Sequence, residues 1–335
     1  MKHNSPAETK LLIATWHPFT LWQPPSDFGA RLRRRWPDMR VVQLPNYDRV
    51  AEELPDTDIL TGYSLRPEQF SLARRLKWIH STAAGVMQLM YPELRSSGIE
   101  VTNAGGIHAA PMAEHILGML LALARRFPDA MRQQAAAHWA QQEIWDALPR
   151  PRELRGRRLL IIGFGKIGTE LARLARPLGL LVTGVTLSGR GDLSVAEKIL
   201  PSTELDRALP QADFVVLAAP ETPETHHLMG ASQFSKMKPD AYFINVARGS
   251  LVDEAALAAA LRERKIAGAG LDVAAEEPLP PESPLWRLEN IFITPHLSAA
   301  SESLWDRQMD LLVENLERWF SGRELLNRVD LARGY

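Results

Sequence analysis

The sequence predicts an α/β protein built from two doubly wound parallel sheets. Short apolar runs alternate with helical patterns over about the first hundred residues, and a second alternating series follows the Pro- and Arg-rich stretch Leu148–Arg158. This alternation is typical of parallel strands joined by crossover helices. A chain of 335 residues is also long enough for about two domains, each with its own core.

The first series contains five strand candidates, which are short, apolar and rich in β-branched residues. They lie at Leu11–Ala14, Val41–Leu44, Ile59–Thr61, Trp78–Ser81 and Val101–Thr102. The intervening stretches have helical patterns, of which Pro67–Arg75 is an example.

The segment Pro111–Arg126 differs from the earlier helical patterns. Its central part, Ile116–Ala124, is apolar on every side, which predicts a helix that is buried all round. The segment is too short to cross a membrane. It is therefore either a core helix or a subunit interface, and the second possibility leads us to expect a homodimer.

The second series contains six strand candidates, again separated by helical patterns. They lie at Leu159–Ile162, Leu181–Leu187, Phe214–Ala218, Tyr242–Val246, Gly268–Val273 and Ile291–Thr294. Thr169–Leu178 and Glu254–Arg264 are helical, and Ser301–Gly322 is a long amphipathic helix that we expect to pack on the first series.

The composition predicts a cytoplasmic location. The 39 basic and 40 acidic residues give a formal net charge of −1, so charge gives no reason to expect nucleic acid or an anionic membrane as a partner. The absence of cysteine excludes disulfides and thiolate metal sites. The first residues lack the apolar core of a signal peptide, and no run reaches the roughly 18 apolar residues of a membrane span.

A glycine-rich turn follows the strand predicted at Leu159–Ile162. Its sequence is Gly163-Phe164-Gly165-Lys166-Ile167-Gly168. Gly163 permits a tight bend, Gly165 lets backbone amides approach a pyrophosphate, and Gly168 lets the following helix pack closely on the sheet. The start of that helix then faces the anion. In this strand-turn-helix context the turn predicts a dinucleotide-binding site.

The end of the next strand predicts which dinucleotide binds. An enzyme that uses NAD carries an acid here, which holds the 2′-hydroxyl group of the ribose. This chain has Thr186, Ser188 and Arg190 instead, while Asp192 lies beyond the turn. Two hydroxyl groups and an arginine suit a 2′-phosphate, so NADPH is the expected cofactor. The alternative is that Arg190 is a solvated loop residue and that NAD also binds.

Many short motifs in a fixed order resemble the D-isomer-specific 2-hydroxyacid dehydrogenase family. They are Val101-Thr102-Asn103, Ala113-Glu114-His115, Glu153-Leu154-Arg155-Gly156, the glycine turn, Pro220-Glu221-Thr222-Pro223-Glu224-Thr225, Met237-Lys238-Pro239, Asn245 to Glu254, Asp272-Val273, Glu276-Glu277-Pro278 and Thr294-Pro295-His296. The resemblance implies a Rossmann dinucleotide-binding domain inserted in a flavodoxin-like substrate domain.

The resemblance also implies roles for individual residues. Arg248, Glu277 and His296 would be the catalytic residues, Asp272 would contact the nicotinamide end of the cofactor, and Pro220 would lie in the loop over it. The chain departs from the family at Ala274, where an aromatic residue is usual, and it lacks the acid that the NAD-using members carry after the second strand.

The chemistry of a 2-oxo acid assigns the same roles independently. Arg248 can bind the substrate carboxylate with two parallel hydrogen bonds. His296 can give a proton to the carbonyl oxygen as hydride arrives, and Glu277 would orient the imidazole and favour its protonated form.

Further substrate contacts are expected from the first series of strands. The amides of Ala84 and Gly85 could complete the cradle for the carboxylate, and Tyr63, at a strand end, is a candidate contact. The other histidines show no metal-ligand spacing with nearby acids, so no metal site is predicted.

The sequence therefore predicts a discontinuous substrate domain (residues 1–102 plus 299–335), a dinucleotide-binding domain (103–298) and an active site in the cleft. We expect NADPH-dependent reduction of glyoxylate, hydroxypyruvate or a similar 2-oxo acid to its D-2-hydroxy acid. One alternative is NAD-dependent oxidation of a D-2-hydroxy acid. The other is a corepressor-like protein that binds NAD(H) as a signal.

Overall fold

The computed structural model describes residues 5–331, and the chain divides into two compact units. One unit comprises the chain up to Ile107 together with the segment from Ala300 onward, and the other comprises the continuous segment between them. The assignment of substrate to the first unit and of dinucleotide to the second stays a prediction.

The strands of the described residues belong to two sheets. The first unit contains β1 (Lys10–Ala14), β2 (Arg40–Gln43), β3 (Ile59–Gly62), β4 (Trp78–Ser81) and β5 (Glu100–Thr102). The second contains β6 (Arg158–Ile162), β7 (Leu181–Thr186), β8 (Lys198–Pro201), β9 (Phe214–Leu217), β10 (Tyr242–Asn245), β11 (Gly268–Leu271) and β12 (Ile291–Ile293).

The α-helices of the described residues connect these strands and flank the sheets. They are α1 (Phe28–Arg35), α2 (Val50–Glu53), α3 (Pro67–Phe70), α4 (Pro92–Arg95), α5 (Ala109–Ala124), α6 (Phe127–Ala135), α7 (Gln141–Asp146), α8 (Lys166–Ala175), α9 (Leu205–Ala208), α10 (Ala231–Lys236), α11 (Glu254–Arg262) and α12 (Leu304–Ser321).

The sheet of the first unit is parallel, with strand order β2-β1-β3-β4-β5. The order reverses between β1 and β3, which is the flavodoxin-like arrangement. Helix α12 covers one face, where Leu312 and Leu316 are buried and Trp319 stacks on Trp78 with 5.6 Å between ring centroids. The expected packing of the last helix on the first series of strands is thus confirmed.

The sheet of the second unit is also parallel, with strand order β12-β11-β10-β9-β6-β7-β8. Its order reverses between β6 and β9, which is the Rossmann arrangement. Apolar clusters cover both faces, with Leu160 and Val215 in one cluster and Leu159 and Val216 in the other. Burial on both faces explains why the central strands of this sheet carry runs of apolar residues rather than an alternating pattern.

The predicted fold class is confirmed, and each of the eleven predicted strands is present with ends shifted by at most two residues. Strand β8 escaped prediction because it is an edge strand that begins at Lys198 and ends at Pro201, with little of it buried. The helix predicted over Pro67–Arg75 is wrong beyond Phe70, where turns replace it.

Helix α5 is not buried all round within its own chain, because Leu121 is 38% exposed and Gly118 also lies at the surface, while Ile116 and Leu120 are fully buried. This excludes a helix enclosed by the core of the chain and leaves the subunit interface as a prediction. The helix therefore packs along one side only and leaves an apolar strip uncovered. Within residues 5–331, no helix combines the length and the apolarity needed to cross a membrane.

A buried histidine makes the stability of the first unit depend on pH. His80, in β4, is 1% exposed, and its Nδ1 lies 2.8 Å from the hydroxyl of Thr102, which also accepts a hydrogen bond from the Trp78 indole. Because that indole is only a donor, the hydroxyl proton is free to point at Nδ1 of a neutral imidazole. Burial lowers the pKa of His80 from 6.5 to about 4.

We predict that this burial destabilises the protein in mild acid. Above pH 6.5 both the folded and the unfolded states hold His80 neutral; between pH 6.5 and about 4 only the unfolded state takes up the proton. The free energy of unfolding should therefore fall by up to about 1.4 kcal/mol per pH unit in this window. Urea unfolding of wild type and of His80→Asn between pH 7 and 4.5 measures the effect. Equal pH slopes in the two proteins would show that His80 does not contribute.

Candidate active site

The predicted site residues of the second unit all follow the carboxyl end of a strand. Gly163 follows β6, Thr186 ends β7, Pro220 comes after β9, Arg248 after β10, Asp272 after β11 and His296 after β12. Because all of these strands are parallel, their carboxyl ends lie along one edge of the sheet. This is the edge at which open α/β sheets bind ligands.

The glycine turn is held tightly against two neighbouring strands. Gly163 has a φ of +94°, and a Cβ placed there would lie 2.4 Å from the backbone nitrogen of Ala219. The amides of Gly163 and Phe164 both donate to the carbonyl of Val185, at 2.9 and 3.1 Å. Only glycine fits the first position, and the turn lies directly beside the end of β7.

The start of α8 has the properties needed to hold a pyrophosphate. A Cβ at Gly168 would lie 2.7 Å from the carbonyl oxygen of Gly163, so glycine lets the helix approach the turn closely. A Cβ at Gly165 would meet no atom within 4 Å, which leaves open space beside the backbone. Helix α8 begins at Lys166, so the amide of Ile167 lies in the first turn, where a helix offers it no backbone acceptor of its own.

A hydrogen bond within the turn after β7 joins its first and last residues. The hydroxyl of Thr186 donates to the carbonyl of Arg190 at 3.1 Å, and Gly189 has a φ of +71°. The side chains of Ser188 and Arg190 are exposed. Asp192 is engaged elsewhere: it accepts from the amide of Ser194 at 2.9 Å and from its hydroxyl at 2.5 Å. These hydrogen bonds hold the pKa of Asp192 below its ordinary value.

The loop after β9 is tied to the loop that carries Arg248. The exposed Pro220 accepts a hydrogen bond at its carbonyl from the hydroxyl of Thr225, at 2.8 Å. Its neighbour Glu221 accepts from the hydroxyl of Ser250 at 2.6 Å. The two loops are therefore connected through side chains rather than only through the sheet.

Arg248 is presented by a turn that two of its neighbours shape. The buried Asn245 accepts from the amide of Ala247 and donates to the carbonyl of Arg248, both at 3.0 Å. Gly249 packs so closely that an added Cβ would lie 1.9 Å from the carbonyl carbon of Ala274. The guanidinium is exposed and donates to the carbonyl of Ala247, and no carboxylate in the described part of the chain pairs with it. It is thus available to an anion.

His296 and Glu277 form a hydrogen-bonded pair. Nδ1 of His296 lies 2.6 Å from Oε2 of Glu277, whose other oxygen accepts from the amide of Ala274 at 3.1 Å. The His296 side chain is 42% exposed. Because the carboxylate accepts at Nδ1, the opposite nitrogen, Nε2, is the one left to exchange a proton with a bound molecule.

The loop that carries His296 is fixed by one buried carboxylate. Oδ1 of Asp272 accepts from the hydroxyl of Thr294 at 2.6 Å and from the amide of Leu297 at 2.8 Å, and Oδ2 accepts from the amide of Ser298 at 2.9 Å. The Asp272 backbone carbonyl accepts from the amide of His296, also at 2.9 Å. The Asp272 side chain is fully buried in the unit. Its predicted contact with the cofactor stays a prediction.

Two residues of this network escaped functional assignment in the sequence. Each stood there only as a member of a short motif, Thr294-Pro295-His296 and Ala113-Glu114-His115, without a role of its own. Nε2 of His115 lies 3.0 Å from the Thr294 hydroxyl and 3.6 Å from Oδ1 of Asp272. The motifs marked both residues, but a contact between positions 179 residues apart leaves no local pattern that would show that the two motifs meet.

In the first unit, the predicted substrate contacts lie at the carboxyl ends of β3 and β4. Asn103 donates to the carbonyl of Ala84 at 2.8 Å, and Gln88 donates to those of Tyr63 and Gly85 at 2.7 and 3.4 Å. Ala84, Gly85 and Tyr63 are exposed, and the amides of the first two find no acceptor among the described residues. The turn therefore holds its carbonyl groups inward and leaves two amide donors free.

The chain is similar in sequence to a known enzyme family. A profile of the D-isomer specific 2-hydroxyacid dehydrogenase NAD binding domain matches residues 117–298. A glyoxylate reductase from Korarchaeum cryptofilum is 34% identical over 276 residues, which cover 81% of this chain and 82% of that enzyme.

Solved structures are similar over nearly the whole chain. A D-isomer specific 2-hydroxyacid dehydrogenase from Xanthobacter autotrophicus, in complex with NADPH and MES, is 30% identical with a TM-score of 0.83, and covers 98% of this chain and 100% of its own. An NADPH-dependent glyoxylate/hydroxypyruvate reductase from Sinorhizobium meliloti, in complex with NADP and sulfate, is 25% identical with a TM-score of 0.80 and the same coverage.

Proposed function

Because this chain belongs to the D-isomer-specific 2-hydroxyacid dehydrogenase family, we propose that it reduces a small 2-oxo acid, such as glyoxylate or hydroxypyruvate, to the D-2-hydroxy acid with NADPH. Membership confirms the resemblance seen in the sequence and makes the chain an NAD(P)-dependent oxidoreductase. The observation that carries the proposal is the His296–Glu277 pair, which lies at the same sheet edge as the unpaired guanidinium of Arg248.

The proposed mechanism divides the work among three side chains. When bound, NADPH would supply the hydride that reduces carbon 2 of the oxo acid. Arg248 binds the substrate carboxylate and fixes its orientation. His296, protonated on both nitrogens, donates the Nε2 proton to the carbonyl oxygen, so that hydride plus proton complete the alcohol. Glu277 accepts the Nδ1 proton in a hydrogen bond throughout, which holds the ring in place and stabilises its charge.

We further propose that the first unit contributes to substrate binding. The free amides of Ala84 and Gly85 suit a carboxylate oxygen, because backbone amides bind anions without requiring a charged side chain. Tyr63 presents an exposed ring beside this turn, since the amide of Gln88 contacts the carbonyl groups of both Tyr63 and Gly85.

The turn after β7 supports a preference for NADPH. In the proposed complex the glycine turn, with Lys166 and Ile167, holds the pyrophosphate, while Pro220 and Asp272 lie toward the nicotinamide. Ser188 and Arg190 would bind the 2′-phosphate. A carboxylate about 4 Å from that phosphate would cost on the order of 4 kcal/mol per unit charge at an effective dielectric near 20. The chain avoids this cost because no acid ends β7.

Exposed apolar side chains along the segment from α5 to α7 support the proposed homodimer. They are Leu121 of α5, Phe127 and Met131 of α6, and Trp139, Trp145 and Leu148 around α7. Trp139 is 89% exposed and Leu148 is 77% exposed, which is unfavourable for large apolar side chains in water. In an isologous dimer these side chains of one copy of the chain would pack against the same side chains of the second copy, so that both sets would be buried.

We predict that His296→Ala abolishes most turnover without preventing cofactor binding. In an assay that follows NADPH oxidation with a panel of 2-oxo acids, kcat on the best substrate should fall by about 10²-fold to 10⁴-fold, because the proton donor is lost. NADPH affinity, measured by fluorescence titration, should change little. A variant that keeps most of its turnover would contradict the role of His296.

The same assay on Arg248→Lys tests the carboxylate contact. Lysine keeps the charge but not the two parallel donors, so KM for the oxo acid should rise and kcat should fall. Wild-type constants in this variant would refute the contact.

If the wild type binds cofactor but turns over no oxo acid, and does not oxidise D-2-hydroxy acids with NAD either, the nucleotide-sensing alternative is favoured.

For cofactor choice we expect kcat/KM to be at least about tenfold higher with NADPH than with NADH, a difference of roughly 1.4 kcal/mol. Arg190→Ala should reduce this ratio while leaving the Thr186 hydrogen bond to the backbone of residue 190 in place. Adding Thr186→Asp should shift the preference further toward NADH. Arg207→Ala, which removes an exposed arginine on α9, is the control. Equal efficiency with both cofactors in the wild type would mean that Arg190 does not bind the phosphate.

The homodimer can be measured by sedimentation velocity at micromolar concentration. The wild type should sediment as a dimer of the 37.5 kDa chain, and Leu148→Glu should shift it toward monomer because a charge would enter the apolar contact. Leu193→Glu, at another exposed leucine, is the control. A wild-type monomer would contradict the proposal.

A further inference from the structure

His115 occupies an unusual position for a histidine without an assigned role. It lies in the first half of α5, and its side chain is only 20% exposed. Its Nε2 points at the Thr294 hydroxyl, 3.0 Å away, with Oδ1 of Asp272 at 3.6 Å. The helix thereby contacts the same network that fixes the loop carrying His296.

The direction of each hydrogen bond follows from what the groups can donate. An ionised carboxylate only accepts, so the Thr294 hydroxyl must give its single proton to Asp272 at 2.6 Å. The hydroxyl can then only accept from His115, which requires a proton on Nε2 of that imidazole. Burial lowers the pKa of His115, which favours the neutral form with one ring proton. The chain of donors therefore runs from His115 through Thr294 to Asp272.

This chain of donors bears directly on the geometry of His296. His296 has a left-handed backbone with a φ of +53°, a conformation that is strained for a residue with a Cβ. Asp272 accepts the hydrogen bonds that compensate for this strain. Its backbone carbonyl accepts from the amide of His296, and its side chain accepts from the amides of the two residues after His296. Whatever fixes the Asp272 carboxylate thus fixes the position of the His296 ring relative to Glu277.

We propose that His115 is a positioning residue for His296: its Nε2–H group locks the Thr294 hydroxyl onto Asp272 and so holds the His296 loop in its reactive conformation. The proposal rests on the proposed function, in which His296 supplies the proton. His115 itself touches neither substrate nor cofactor in this role. It acts through two intervening side chains, and its effect should appear in kcat rather than in binding.

The kinetic test compares His115→Phe, which fills the space without a donor, with His115→Gln, whose side-chain amide can donate to Thr294. We expect His115→Phe to lower kcat by about tenfold or more with little change in KM or NADPH affinity. His115→Gln should recover most of the loss. Equal losses in the two variants would overturn the proposal, since steric fit rather than the hydrogen bond would then matter.

A double-mutant cycle tests whether the effect passes through Thr294. Thr294→Val removes the hydroxyl and keeps the shape, so it serves even if a His115 variant folds poorly. Adding His115→Phe to Thr294→Val should lower kcat little further, because the relay is already broken. If the two losses multiply, His115 acts by another route and the proposal is wrong.

A readout on the resting protein separates this proposal from the proposed function. With ¹⁵N-labelled histidine, the proton between Nδ1 of His296 and Glu277 should give a downfield NMR signal in the wild type and in His115→Gln. It should broaden or disappear in His115→Phe as the loop loosens. An unchanged signal in His115→Phe would overturn the positioning role, whereas a missing oxo-acid activity in the wild type would overturn only the proposed reaction.

Discussion

The geometry of the candidate site depends on one buried carboxylate. Asp272 lies at the carboxyl end of β11, and its two oxygens accept three hydrogen bonds, from the hydroxyl of Thr294 and from two amides of the next loop. A carboxylate removed from water is costly unless donors replace its hydration. Here the three donors lie in the loop after β12. The hydrogen bonds that stabilise the buried carboxylate therefore also fix the conformation of that loop.

Hydrogen bonds to the backbone and close packing of the backbone also hold the remaining site residues in place. Asn245 shapes the Arg248 turn through two backbone contacts, and Gly249 lets that turn pack against Ala274. The amide of Ala274 in turn orients Glu277. Each reactive side chain is thus exposed at its tip and fixed at its base, which is the arrangement that preorganises a site without burying it.

The sequence predicted the sheets well because a strand that is buried on both faces contains a continuous run of apolar residues. Strand β9 is apolar throughout and β6 is apolar after Arg158, whereas the edge strand β8 carries Lys198 and Pro201 and lacks such an apolar run. For α5 the sequence left open what covers the apolar side chains. An apolar residue such as Leu121 does not by itself say whether the chain's own core covers it, and here the core does not.

The candidate site was predictable where its residues lie in short local motifs and not where they meet through space. Arg248, Glu277 and His296 each follow a strand within a recognisable run, so their alignment along one edge follows from parallel topology. The link from His115 to Thr294 crosses from a helix to a loop 179 residues later, and only the folded arrangement of α5 against β11 creates it.

The discontinuous first unit has a consequence for the order of folding. Its sheet is covered by α12, and the backbone of residues 327–329 bonds to Val101 and Asn103 along the edge of β5. Between these two parts lie about 190 residues of the second unit, which a ribosome translates in roughly 10–40 s. Throughout that time the nascent first unit exposes Trp78 and an unpaired strand edge, and at its end the second unit has all of its segments while α12 is still to be translated. We therefore expect the later unit to fold first in the cell, and chaperones that bind apolar surface to act mainly on the earlier one.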